Sequence, residues 1–349
     1  MEIARAISSN ARLLILDEAT SSLSETATLR LLEIVRDLSS QGVAIVMITH
    51  RMPELYASCS RAIVMRDGML VGHAPLPSTT EQALVQMMVG RELGDYYGSR
   101  NAKIGDVTLR VRDLETFDGA LAPTSLTVRA GEILGVAGLV GSGKSEFGMA
   151  LGGAIRSRGD VRVREHGVPL GNPYRAITSG IGYVPDDRRA AAILPFRSVG
   201  ENLALAWLEH SYRLGFLRRR TERKRIEQTI RRYAVKTSSA EKEISLLSGG
   251  NQQKAILGRT FSRNCPVYVL NEPTRGVDIG SKSTIYGFLQ RLAEDGAAIV
   301  LISSELPELI GLADRVAVFF EGNVKAILEG EHLNEREISA LAVSGQHEA

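Results

Sequence analysis

The chain has 349 residues, long enough for two domains of about 150 residues each. Its 44% hydrophobic and 23% charged residues suit globular protein, and a formal charge of +2 does not call for nucleic acid or an anionic membrane. No apolar run approaches the ~20 residues that span a bilayer, the first residues lack a signal-peptide pattern, and Cys59 and Cys265 have no metal-ligand spacing, which fits a reducing cytoplasm.

The first predicted element is a buried strand, "LLILD" at 13–17, closed by the carboxylates Asp17 and Glu18. A helix follows over 25–40, then the strand "GVAIVMITH" ending at His50, then a strand and tight turn, "AIVMRDG". Residues 91–106 are polar and contain glycine, and read as a linker. Further on, "EILGVA" leads into "GLVGSGKS" at 138–145 and then a helix-compatible run. That is the strand–loop–helix context of a phosphate-binding P-loop. Its glycines aim backbone N–H groups at phosphate oxygens, Lys144 reaches the β- and γ-phosphates, and the Ser145 hydroxyl ligates Mg²⁺. Gly138, Leu139, Val140, Gly141, Ser142, Gly143, Lys144, Ser145 and Glu146 are the candidate ATP-binding residues.

Phe117, upstream of the loop, is read either as a stacking partner for adenine or as a core residue. The segment 216–233 is strongly basic and predicted helical; a solvated face explains it better than nucleic-acid binding. "LSGGNQQK" at 247–254 offers a second anion-binding helix terminus: Ser248 as N-cap, Gly249 and Gly250 with unshielded N–H groups, then Asn251 and Gln252. The strand "VYVLN" ends in Asn271 and Glu272. A helix over 281–294, the strand "GAAIVLISS" and the strand–turn "VAVFFEG" complete the chain's pattern.

The last elements repeat the first. Asp17 and Asn271 lie 254 positions apart, as do His50 and Ser304, Pro53 and Pro307, and Gly68 and Gly322. A domain-sized offset held from about residue 4 to about residue 70 indicates a tandem duplication. The expected fold class is α/β: a parallel-sheet core covered on both faces, in two tandem copies. About 150 residues are expected to be missing upstream of Met1 from the first copy. Residues 1–90 are its C-terminal remnant, 91–106 the linker and 107–349 the second copy.

P-loop, LSGG and carboxylate strand in this order resemble the ATP-binding domains of ABC transporters. "LSGGNQQK", "NEPTRGVDIG", "SSELPEL" and "VPDDRR" (184–189) are similar to the second half of the duplicated ATP-binding subunits of bacterial ribose, galactose and xylose importers. The resemblance implies a P-loop NTPase with a helical subdomain and antiparallel strands, cofactors ATP and Mg²⁺, and hydrolysis coupled to sugar import. It also implies a peripheral place on the cytoplasmic side of the inner membrane, against permease subunits that a periplasmic sugar-binding protein serves. Two domains, or two copies of the chain, would share two ATPs, each signature closing on the other's nucleotide. One site then draws on Asp17, Glu18 and His50 with Ser248–Gln252, its P-loop lying upstream. The other has Lys144 and Glu272 but Asn271 for the usual aspartate, and Ser304, too short to replace a γ-phosphate histidine. Asn271 reads equally as drift or as specialisation. Asp186 is the coupling-loop position. Two other readings stay open: a nucleotide-binding remnant that does not hydrolyse, and a soluble duplicated ATPase acting on ribosomes or DNA.

Overall fold

The structure is a computed structural model that describes residues 11–346 apart from 18, 21–24, 50, 67, 90–96, 99–100, 208–211, 214–215 and 218. Its described residues fall into two compact units, one reaching residue 96 and grouped with Asp278–Gly280, the other comprising 97–277 and the residues from 281 onward.

In the first unit, strand Leu13–Asp17 pairs in parallel with Ala44–Ile48, and Arg61–Arg66 pairs antiparallel with Met69–Pro75. These are two separate two-stranded sheets. Helix Glu25–Ser40 supplies Leu31 and Val35 to a small core with Leu14 and Leu16. Met52, Val64, Ala74, Leu76 and Leu84 belong to a second. The expectation of strands buried on both faces fails here. Burial alternates along Leu13–Asp17, so alternate residues lie open.

The second unit holds a six-stranded sheet in the order Ile181–Val184, Val267–Asn271, Ala298–Ile302, Ile133–Gly138, Arg315–Phe320, Asn323–Glu329. All neighbours are parallel except the last pair. Val267–Asn271 and Ala298–Ile302 are buried throughout, as continuous apolar runs in a parallel sheet require. A four-stranded antiparallel sheet, Thr124–Arg129, Val107–Thr116, Ser157–Val163 and His166–Gly167, shares its core with the large sheet. Between Ile181–Val184 and Val267–Asn271 the chain inserts helices Val199–Ala204, Arg219–Arg232 and Gly249–Phe261. The basic segment is therefore a helix only from Arg219; Phe216–Leu217 forms a short hairpin with Tyr212–Arg213. Trp207 is buried in this helical region, with the Arg225 guanidinium 4.4 Å from its ring centre.

The 254-residue offset holds element by element. Leu13–Asp17 maps onto Val267–Asn271, Glu25–Ser40 onto Ile279–Glu294, Ala44–Ile48 onto Ala298–Ile302, Met52–Ser58 onto Leu306–Leu312, and Arg61–Arg66 onto Arg315–Phe320. A strand irregularity recurs at Val64/Met65 and Val318/Phe319. The correspondence runs on to helices Glu81–Val89 and Glu335–Ser344, past the point where the sequences visibly match.

Candidate functional site

Strand Ile133–Gly138 stops in a turn that only glycine tolerates. Gly138, Gly141 and Gly143 have φ of 151°, 83° and 93°, and a Cβ on Gly143 would lie 2.9 Å from the Ala120 carbonyl oxygen. Helix Lys144–Leu151 begins at once, so its first N–H groups face the loop. Leu139 and Val140 form the exposed tip, Ser145 and Glu146 are half-buried, and Ser142 is buried with no partner for its hydroxyl.

Lys144 is buried and turned inward. Its ammonium donates to Ser304 Oγ at 2.7 Å and lies 3.4 Å from Glu272 Oε1; the Ser304 hydroxyl donates to the same carboxylate oxygen at 2.5 Å. Burial holds the Lys144 amine below the usual lysine range, with Glu272 opposing and the nearby Arg275 adding to the depression. Glu272 has φ of 49°, a conformation that costs a non-glycine residue about 1 kcal/mol or more, and its N–H is fixed to the Ile302 carbonyl at 2.8 Å. The carboxylate that follows strand Val267–Asn271 is thus set under strain beside the P-loop lysine.

Asn271 is fully buried, with the buried Tyr183 hydroxyl beside its amide. It faces Gly148 of the P-loop helix, where a Cβ would stand 3.8 Å from Asn271 Nδ2. The Asn271 amide oxygen, with the Ser145 hydroxyl, offers the hard neutral oxygens that Mg²⁺ accepts. Burial pushes the Tyr183 hydroxyl up to about 12, opposed by the neighbouring Asn271 amide and assisted by the charge of Asp186.

Ser248 occupies the N-cap of helix Gly249–Phe261 but does not cap it through its side chain, contrary to expectation. Its Oγ instead accepts from Asn251 Nδ2 at 2.9 Å, while Gln252 Nε2 donates to the carbonyls of Ile244 and Leu247 and so fixes the approach to the helix. Arg188, just beyond Asp186, donates to the Gly249 carbonyl at 3.2 Å. The structure therefore brings Lys144, Glu272 and Ser304 together; the hydrogen bonds that join them do not reach Ser248–Gln252. Asp17 ends its strand exposed; Glu18 and His50 lie outside the described residues. Phe117 is 69% exposed, with Arg158 5.8 Å from its ring centre, so it is no core residue.

Sequence reasoning took Ser304 only for a lost histidine, whereas it joins the lysine to the carboxylate. It also passed over Glu308, which accepts from Thr274 Oγ1 at 2.8 Å and from Ser303, and Glu54, which accepts from Thr20 and Thr49. The signal that could have found them was the repeat, since Glu54 and Glu308, like Thr20 and Thr274, are identical at its offset.

Residues 121–275 match the family model for ABC transporters. The chain is 43% identical over 346 residues to the ribose import ATP-binding protein RbsA of Geobacillus kaustophilus, covering 99% of this chain and 70% of that protein. To the xylose import ATP-binding protein XylG of Photobacterium profundum it is 40% identical over 352 residues, covering 99% and 69%. Among solved structures, the cassette MJ0796 in a post-hydrolysis dimer with ADP and Pi superposes with a TM-score of 0.56 at 23% identity, over 63% of this chain and 98% of that one, a likeness of fold.

Proposed function

This chain belongs to the ABC transporter ATP-binding protein family, and from that premise we propose that it is the energy-coupling ATPase subunit of an importer for a ribose-, galactose- or xylose-type sugar. The observation that carries this reading is the hydrogen-bonded Lys144–Ser304–Glu272 cluster, its lysine buried, at the foot of a strand–P-loop–helix, in a chain similar over 99% of its length to ribose and xylose import proteins.

ATP's phosphates would compete with Glu272 and Ser304 for Lys144. Once Lys144 turns to the phosphates, Glu272 loses a cation and gains the freedom to hold a water, with Ser304 still donating to it. Phe117, exposed upstream of the loop, would stack on adenine. Mg²⁺, when bound, would neutralise charge on the phosphate oxygens; Ser145 and Asn271 would hold it. Because the Asn271 amide carries no charge, the grip on Mg²⁺ is weaker than a carboxylate's, which favours slow turnover at this site and gives the non-hydrolysing reading its footing.

The residues 1–90 are proposed as the C-terminal part of a first cassette, 91–106 as a linker and 107–349 as the second cassette. Signature residues Ser248–Gln252 would close on ATP held by another cassette, in this protein or a second copy. No helix among the described residues is long and apolar enough to cross a membrane. A peripheral position on permease subunits at the cytoplasmic face follows as part of the proposal. The docking place proposed is a cavity of about 380 Å³ lined by Tyr183, Ala190–Leu194, Leu205, Arg259 and Arg263.

Calorimetry of Mg-ATP binding tests the site. Lys144→Ala should weaken binding at least tenfold, about 1.4 kcal/mol. Equal affinity in variant and parent would overturn the assignment.

A further inference from the structure

Two carboxyl groups are buried at the same place in both copies, neither among the candidate site residues. Glu54 is 3% exposed and Glu308 1%. A carboxyl taken out of water this far is expensive unless hydrogen bonds replace the solvent. Both receive them from the same two loops. Glu308 Oε1 accepts from Thr274 Oγ1, two residues past Glu272, and Oε2 accepts from the Ser303 hydroxyl, one residue before Ser304. Glu54 Oε2 accepts from Thr20 Oγ1 at 2.8 Å and Thr49 Oγ1 at 3.0 Å, the residues at the same offset. Each carboxyl thus bolts the loop after one parallel strand to the loop after its neighbour. In the second copy those loops carry the two groups that meet Lys144. The Ser303 N–H is also tied to the Val136 carbonyl on the P-loop strand, and its hydroxyl accepts from the Glu305 N–H at 3.0 Å, which leaves Ser304 one peptide bond from a fixed point.

We propose that Glu308 is a positioning residue for the nucleotide site, holding the Ser304 hydroxyl between Lys144 and Glu272, and that Glu54 serves the corresponding loop of the first copy. This rests on the nucleotide-site reading above. The two clamps differ in the charges around them, since Glu305 and Lys282 of the second copy stand where the first has Arg51 and Thr28. At the offset position, Arg51 of the first copy stands 2.8 Å from Glu54, while the second copy has Glu305, which turns to Lys282 at 2.5 Å. Lys282 and Tyr97 are the other titratable groups near Glu308. Burial first, and then Glu305, pushes the Glu308 carboxyl up to about 7, against the Ser303 and Thr274 hydrogen bonds and the Lys282 charge. The second clamp therefore changes protonation near neutral pH.

The test is a double-mutant cycle in the full chain, read by Mg-ATP calorimetry, with hydrogen exchange as the check on geometry. Without the clamp, binding must itself order both loops, so Glu308→Ala should weaken Mg-ATP about tenfold and speed exchange at 273–276 and 303–305. If the effect runs through Ser304, the same change made on Ser304→Ala should weaken binding less than about threefold. Glu308→Gln should recover most of the affinity, because its amide oxygen still accepts from a hydroxyl, and should flatten the pH dependence of binding between pH 6 and 8. Unchanged affinity in Glu308→Ala, or strictly additive losses in the double variant, would overturn the proposal. Should Glu308→Ala not fold, the Glu308→Gln pH profile decides: a slope equal to the parent's overturns it. Loss of binding in Lys144→Ala alongside an inert Glu308→Ala sinks only the clamp, whereas a parent chain that binds no Mg-ATP sinks the site and the clamp together.

Discussion

Val267, Val269, Val300 and Ile302 in the second copy are fully buried; Leu13, Ile15, Val46 and Ile48, their counterparts 254 positions earlier, are 52%, 60%, 47% and 50% exposed. The strands pair in the same register, Leu13 with Ala44 and Val267 with Ala298, and the amino acids are equally apolar. What differs is the cover. In the second copy Phe147, Ala150 and Leu151 of the P-loop helix share one core with these residues, and a Cβ on Gly148 would fall 2.5 Å from Ile302 Cδ1. Strand Ile133–Gly138 also lies between Ala298–Ile302 and Arg315–Phe320, joining them into one sheet. Among the described residues of the first unit no strand stands between Ala44–Ile48 and Arg61–Arg66, and they remain in separate sheets. Equally apolar strand sequences therefore do not fix burial; the P-loop strand and helix do. The open face of the first copy has the residue pattern that such a strand and helix would cover.

The sharpest way to break this comparison is to place a charge at matched positions. Val300→Asp should destabilise the second unit by several kcal/mol, on the order of 3–5, because the carboxylate is buried without a partner. Val46→Asp should stay within about 0.5 kcal/mol in the first. Hydrogen exchange resolved by unit checks both, and equal effects would mean that the first face is covered after all. Next in size is a pH effect. The folded state holds a proton on Glu308 up to about pH 7, while in the unfolded chain the carboxyl releases it near the ordinary value of 4.5. Its contribution is then fully present below about pH 4.5 and is lost as pH rises through about 7, up to ~3 kcal/mol. Denaturant titrations from pH 5 to 8 should show the second unit weakening along that course, and Glu308→Gln should remove the slope. Glu305→Arg, which copies Arg51 of the first unit, should move the slope to lower pH. The smallest effect concerns Asn271. Asp17 is exposed and can carry its charge in water; an aspartate at 271 cannot. Asn271→Asp should lower stability by about 1–2 kcal/mol in the absence of ligand and regain it with Mg-ATP, with tighter Mg²⁺ dependence. Ligand-free stability equal to the parent's would show that the site is wetter than the structure has it.

Local patterns carried most of the second unit. The glycine spacing at 138–145, the continuous apolar strands and the helix at 281–294 translate directly into backbone, because each follows from short-range sterics and periodicity. The repeat was legible as an offset and proved to extend to Glu81–Val89, where side chains have diverged but the fold has not. The inward turn of Lys144, the Ser304 relay and the Glu308 clamp were not legible, since they join residues 128 to 160 positions apart or rest on one buried side chain choosing its partners. The exposure of Leu13–Asp17 was hidden for the same reason: an apolar strand looks alike whether or not a neighbour covers it. Ser248 had the right residue and backbone for a cap, yet a neighbouring asparagine took its hydroxyl.

Trp207 is the sole tryptophan in the chain, and it lies in the helical region with Arg225 across its ring. The protein therefore has a single indole chromophore, and its emission belongs to that region alone. Arg225 also donates to the Ser262 carbonyl at the end of the signature helix, which couples the cation over the ring to that helix. Any rotation of that helix should alter the colour or yield of intrinsic fluorescence, giving a label-free optical report of its movement.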